Sequence, residues 1–140
     1  MTAFVDTNVL VYAVDAHDRT KHDTARAALT KLWESDDGVV STQVLQELYS
    51  VATTKLRSVM RPAQARRVVA DYAEWCSVQT TAQLIVSASH LSEEHTIGFW
   101  DALIVEAALL AGAQTLLSED LQHGRRFGTV TVHNPFLDAG

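Results

Sequence analysis

Four carboxylates stand out by their placement in this chain of 140 residues. Asp6 directly follows the short β-rich run Ala3-Phe4-Val5, and Asp120 closely follows the apolar run Thr115-Leu116-Leu117. Glu47 lies where Val44, Leu45, Leu48, Val51, Ala52 and Leu56 recur at helical spacing, on the expected core-facing edge of that stripe. Asp101 opens the run Ala102-Leu103-Ile104-Val105, beside Trp100. Singly, each has an ordinary reading. An Asp after a strand makes a turn or caps a helix, and a negative charge suits a helix N-terminus. A Glu facing a core can be satisfied by hydrogen bonds. Taken together, they put two acids at strand ends and two on helices that could reach the same edge. Crowded carboxylates repel one another unless a cation joins them. An all-oxygen ligand set suits Mg²⁺ or Mn²⁺, and such an ion with open water positions is equipped to cleave phosphodiesters.

The elements that must position these acids can be read from periodicity. Helical spacing is expected from His22 to Trp33, from Ser41 or Thr42 to about Leu56, and after Pro62 through Tyr72. Two further helices are expected, from Thr80 or Thr81 to about Leu91 and from Phe99 to Ala111, the last ended by Gly112. Strands are expected at Ala3-Phe4-Val5, Val39-Val40, Ser77 to Gln79, Thr115-Leu116-Leu117 and Val130-Thr131-Val132. Strands alternating with helices imply βαβ units and a parallel sheet covered on both faces. Ligands in such folds sit outside the carboxyl ends of the strands.

Composition narrows the class. With 47% hydrophobic residues the chain is no disordered tail. One cysteine, Cys76, excludes an internal disulfide framework and a Cys-based zinc site. No apolar run approaches the ~18 residues of a membrane span, and no basic region followed by an apolar stretch marks a secretion signal. One cytoplasmic domain over residues 1–140 is expected. The net charge of -6 argues at first against a nucleic-acid partner.

The runs Val5-Asp6-Thr7-Asn8-Val9-Leu10, Phe99-Trp100-Asp101-Ala102-Leu103-Ile104 and Leu117-Ser118-Glu119-Asp120, with Glu47 between the first two, resemble the PIN-domain nucleases. The similarity is greatest to the VapC-type toxins of toxin–antitoxin pairs and covers nearly the whole chain. It implies a three-layer α/β/α fold around a parallel sheet of about five strands, and a Mg²⁺- or Mn²⁺-dependent endoribonuclease. It implies Asp6, Glu47, Asp101 and Asp120 as catalytic metal ligands, with Thr7, Asn8 and Ser118 as supporting polar residues. Asp6 and Asp101 would be the most direct ligands. Glu119 departs in charge from the family pattern, and its role stays open. A homodimer and a cognate antitoxin partner are also implied.

RNA affinity needs Lys and Arg contacts to phosphate. From Leu48 to Ala70 there is no acid, whereas Lys55, Arg57, Arg61, Arg66 and Arg67 all fall there. Arg125 and Arg126 form a second basic pair, near His123. Substrate contacts are expected from Lys55, Arg57, Arg61, Arg125 and Arg126; a solvated helix face or a site for an acidic antitoxin segment are the alternatives. Assigning four acids to a metal site leaves 13 acids against 11 bases, so the net charge no longer speaks against RNA. The six histidines show no metal-ligand spacing, and Cys76 reads as a packed thiol. Two other functions remain in view. One is a PIN-like domain that binds RNA or protein without cutting. The other is a phosphotransfer receiver, which would need paired acids where Thr7-Asn8 stand and an acid after the third strand, where Gln79-Thr80-Thr81 stand.

Overall fold

The computed structural model describes residues 1–137. In chain order the elements are β1 (Ala3–Val5), α1 (Thr7–Val14), α2 (Arg19–Ser35), β2 (Gly38–Ser41), α3 (Thr42–Thr54) and α4 (Pro62–Tyr72). A 3₁₀ turn (Ala73–Trp75) then leads into β3 (Cys76–Val78), α5 (Ala82–His95), α6 (Phe99–Leu110), β4 (Thr115–Leu117), β5 (Arg126–Phe127) and β6 (Val130–His133). The sheet order is β3-β2-β1-β4-β6-β5. Five strands are parallel, and β5 pairs antiparallel with β6 at the edge. Helices pack about this sheet in the expected α/β/α arrangement. The expectation of about five parallel strands holds for that part, and β5 is an addition to it. Only two residues long, β5 has too little apolar pattern to be read from the sequence. Gly128 supplies the positive φ of 57° that turns its chain back into β6.

Each element follows from local chemistry. Strand β1 is central, so Phe4 and Val5 are fully buried, as a parallel strand covered on both faces requires. The sequence Val9 to Val14 lies within helix α1, which Asp6 caps through its side chain. Asp18 caps α2, one turn earlier than the apolar spacing alone indicates. Ser41 ends β2 and caps α3, its Oγ accepting from the Val44 N–H at 3.4 Å. Pro62 occupies the first turn of α4, where its missing N–H costs nothing. Of the two threonines considered for α5, Thr81 is the cap. Helix α6 is apolar around most of its circumference and runs through the core, with Ala102, Leu103, Ile104, Val105, Ala107 and Ala108 all buried. Its one early acid, Asp101, is thereby held at its N-terminal rim. Among the described residues no helix is long and apolar enough to cross a membrane.

The strand order decides where a site can form. Chain progress runs outward through β1, β2 and β3 on one side and through β4 and β6 on the other. The reversal lies between β1 and β4, and the crevice outside the carboxyl ends of such strands is where α/β folds bind ligands.

Candidate metal centre

Register brings the first two acids together. Val5 pairs with Leu117, and the Asp6 N–H continues the ladder by donating to the Leu117 carbonyl at 2.9 Å. Asp6 therefore stands beside Ser118, whose Oγ–H donates to Asp6 Oδ2 at 2.8 Å. The other oxygen, Oδ1, accepts from the Thr7 N–H at 2.7 Å. Asp6 thus is a helix cap, as its bland reading has it, and at the same time a buried carboxylate that is only 5% exposed. Asp120 caps no helix. It sits in an exposed bend after β4, its N–H donating to Ser118 Oγ at 3.2 Å.

Asn8 joins the two acids. Its Nδ2 donates to Asp6 Oδ2 at 3.3 Å and to Asp120 Oδ2 at 3.1 Å, with Ser118 Oγ at 3.5 Å. Its Oδ1 accepts from the Glu119 N–H at 3.2 Å, which fixes the direction of the amide. The amide protons therefore occupy the centre of an oxygen cluster, the place and polarity of a cation.

The third acid comes from α3. Thr7 Oγ1 donates to Glu47 Oε1 at 3.0 Å across 40 positions of sequence. Glu47 opens to solvent along one side, with its carboxyl half-buried in the crevice, which corrects the expectation of a core-facing carboxylate. Val44 and Leu48 take the buried face of α3, and Glu47, one residue before Leu48, turns toward the crevice instead. The fourth acid is tied to the same helix. Gln43, buried and one turn before Glu47, donates from Nε2 to the Trp100 carbonyl at 3.3 Å, holding the start of α6 and Asp101 beside α3. Residue type alone does not mark Gln43, although its i, i+4 spacing from Glu47 is a local signal.

Electrostatics couple all four acids. Burial drives the Asp6 carboxyl up to about 7, partly offset by the Ser118 and Thr7 hydrogen bonds and reinforced by the charges of Asp120 and Glu47. Glu47 is raised, first by lost hydration and then by Asp101 and Asp120. Asp101 is raised by lost hydration and by Asp120. Among the described residues, no Lys, Arg or His forms an ion pair with any of the four. Nor do any three His, Cys, Asp or Glu side chains, as placed, stand ready as a closed ligand set. The donor chemistry nevertheless fits a hard divalent cation: every candidate ligand is oxygen, the acids repel one another, and an amide N–H₂ group fills the gap between two of them.

Glu119 points out of this cluster. Its carboxylate accepts from Lys21 Nζ at 2.6 Å and from Tyr12 OH at 2.7 Å, while only its backbone N–H reaches Asn8. Lys21 also lies 4.9 Å from the Tyr12 ring centroid and 5.6 Å from that of Phe136. A pairing 98 positions apart leaves no trace in the sequence.

The basic residues divide. Lys55, Arg57, Arg61, Arg66 and Arg67 are exposed, and none forms an ion pair among the described residues. Lys55 follows α3, about 12 Å along the helix axis from Glu47. Arg125 is already engaged: its Nη2 donates to the His95 carbonyl at 2.6 Å, and its guanidinium lies 4.8 Å from the Phe127 ring centroid. Arg126 is exposed on β5. His123 accepts from the Asn134 N–H at 3.0 Å.

The PIN domain family model matches residues 3–126. No curated protein matches the sequence. Among solved structures, a toxin–antitoxin complex from Klebsiella pneumoniae aligns with a TM-score of 0.68 at 18% identity, covering 96% of this chain and 98% of that one. VapC20 of Mycobacterium tuberculosis, a sarcin-ricin loop cleaving toxin, aligns with a TM-score of 0.63 at 25% identity over 85% of this chain and 92% of its own. VapBC2 from Rickettsia felis, bound to a DNA fragment from its promoter, gives a TM-score of 0.63 at 20% identity over 96% and 98%.

Proposed function

The chain belongs to the PIN domain family, and from that premise we propose that it is a Mg²⁺- or Mn²⁺-dependent endoribonuclease, the toxin of a toxin–antitoxin pair. The observation that carries this reading is the set of four electrostatically coupled carboxylates, without a basic partner among the described residues, at the switch point of the sheet. The toxin-related solved structures support the biological setting. In this reading the protein acts in the cytoplasm, forms a homodimer and is held by a cognate antitoxin.

Asp6, Asp101, Glu47 and Asp120 would hold the ion. When bound, it supplies charge neutralisation of the phosphodiester and acidification of the attacking water. The rest of the work falls to the protein. Ser118 and the Thr7 N–H hold the Asp6 carboxylate in one orientation and favour its charged form. Thr7 holds Glu47 to the same crevice. Asn8 fixes the spacing of Asp6 and Asp120. The four acids have no internal counter-charge, so an approaching phosphodiester meets repulsion until the site is neutralised. Lys55, Arg57 and Arg61 would draw the RNA backbone along α3 and the loop that follows it.

The test is cleavage of several RNAs with Mg²⁺, Mn²⁺ or EDTA, by the parent and by Asp6→Asn. Divalent-dependent cutting that falls to background in the variant, with the fold intact by circular dichroism, is expected. An Asp6→Asn protein that cuts as well as the parent would remove the assignment. A parent that binds RNA without cutting it would leave a non-cleaving PIN-like domain.

A further inference from the structure

The three tryptophans of the chain have contrasting surroundings. Trp33 and Trp75 pack against each other at a tilt of 36° with ring centroids 4.3 Å apart, and Tyr72 lies 5.8 Å and 5.3 Å from them. Trp100 has a single aromatic neighbour among the described residues, Phe99, edge-on at 5.6 Å. It is 68% exposed, so most of a large apolar ring faces water. Such exposure forgoes the burial free energy that ordinarily places an indole inside.

Its position gives the exposure meaning. Trp100 immediately precedes Asp101 in the first turn of α6, and its side chain emerges about 100° around the helix from that carboxylate. Its carbonyl is fixed by buried Gln43, the residue one helical turn before Glu47. The indole is therefore carried on a backbone locked to two of the four acids. The acid cluster itself repels phosphate, Lys21 is already paired with Glu119, and Lys55, the first base of the acid-free segment, lies about 12 Å along α3 from Glu47. Apart from the ion, affinity close to the cleavage point is best supplied by something indifferent to charge. Stacking of a base on an aromatic ring is such an interaction, and it is open only to bases that have left a helical stack.

We propose that Trp100 is a stacking platform for an unpaired base beside the phosphate at the carboxylate cluster. This rests on the nuclease reading above. Trp100 then positions one nucleotide, while the carboxylates act on whichever phosphate the stacked base delivers.

The experiment compares the parent, Trp100→Ala and Trp100→Phe on one ribo-oligonucleotide, single-stranded and annealed to its full complement, with Mg²⁺ or Mn²⁺ present. Trp100→Ala should raise KM for the single strand roughly five- to 150-fold, the worth of stacking one base, with kcat little changed. Trp100→Phe keeps an aromatic face and should stay near the parent, and the parent should cut the duplex poorly. Binding of the single strand to the Asp6→Asn protein should quench tryptophan fluorescence, and adding Trp100→Phe should remove that quench. A parent that cuts RNA while Trp100→Ala keeps its KM would overturn the stacking role and leave the nuclease reading standing. Equal cutting of single strand and duplex would do the same. A parent that cuts no RNA with either ion would overturn the nuclease reading, and this inference with it.

Discussion

Asp6 meets two structural demands with its two oxygens: one caps α1, and the other faces Ser118 and Asn8. Three donors do not offset burial and two acidic neighbours, so the carboxyl rises from 3.8 to about 7. A carboxyl raised in the folded state binds a proton there at pH values where the unfolded chain has released it. Its contribution to stability is therefore complete below about pH 4 and lost as pH rises through about 7. Asp6→Asn cannot ionise. Without divalent ions, the melting temperature of that variant relative to the parent should climb by several degrees between pH 4 and pH 8. A constant difference across that range would mean that Asp6 is ionised throughout. At pH 8, Mg²⁺ should raise the melting temperature of the parent far more than that of Asp6→Asn, because only the parent presents the full anionic cluster.

At the scale of elements, close approach of β2 to its neighbours depends on one missing side chain. A Cβ on Gly38 would stand 2.8 Å from the Trp75 ring, the indole that follows α4 and covers the start of β2. Gly38→Ala should cost about 1–3 kcal/mol, since an indole packed against Trp33 and Tyr72 has little room to give. Urea unfolding would register this as a lower midpoint at unchanged slope. The end of β4 is organised differently, by polar groups. Glu119, held by Lys21 and Tyr12 from α2 and α1, directs its backbone N–H at Asn8 and so supports the amide between Asp6 and Asp120. The start and type of most elements were legible because caps and apolar spacing are local signals: Pro62, Ser41 and Thr81 all begin helices. The outward turn of Glu47 was not, because it depends on which neighbour occupies the adjacent face.

For the molecule as a whole, net charge is a poor guide to partner. The -6 total combines a carboxylate crevice with an acid-free segment from Leu48 to Ala70 that carries five exposed bases. Under the proposed function, Arg57→Glu and Arg61→Glu should weaken RNA binding and flatten its dependence on salt, by roughly 0.7 in log–log slope per lost single-strand contact. Titrations at several salt concentrations would read both. An unchanged slope would take this segment out of the RNA path and leave it to an acidic protein partner. Arg125 is a weaker candidate for the same role, since its guanidinium already joins the end of α5 to β5.

By itself the sequence determined the α/β alternation and the family resemblance, and it singled out four acids as candidates, since each of these is written in residue type and local spacing. Only the tertiary structure decided how those acids meet: the β1–β4 register aligns Asp6 with Ser118, and Gln43 ties α6 to α3. It also decided that Glu119 turns toward Lys21, and that Trp100 stands exposed at the rim while the other two tryptophans pack together. The physical reason is range. Caps and periodicity act over a few residues, whereas burial, repulsion and stacking depend on groups that the chain brings together from as far as 112 positions apart.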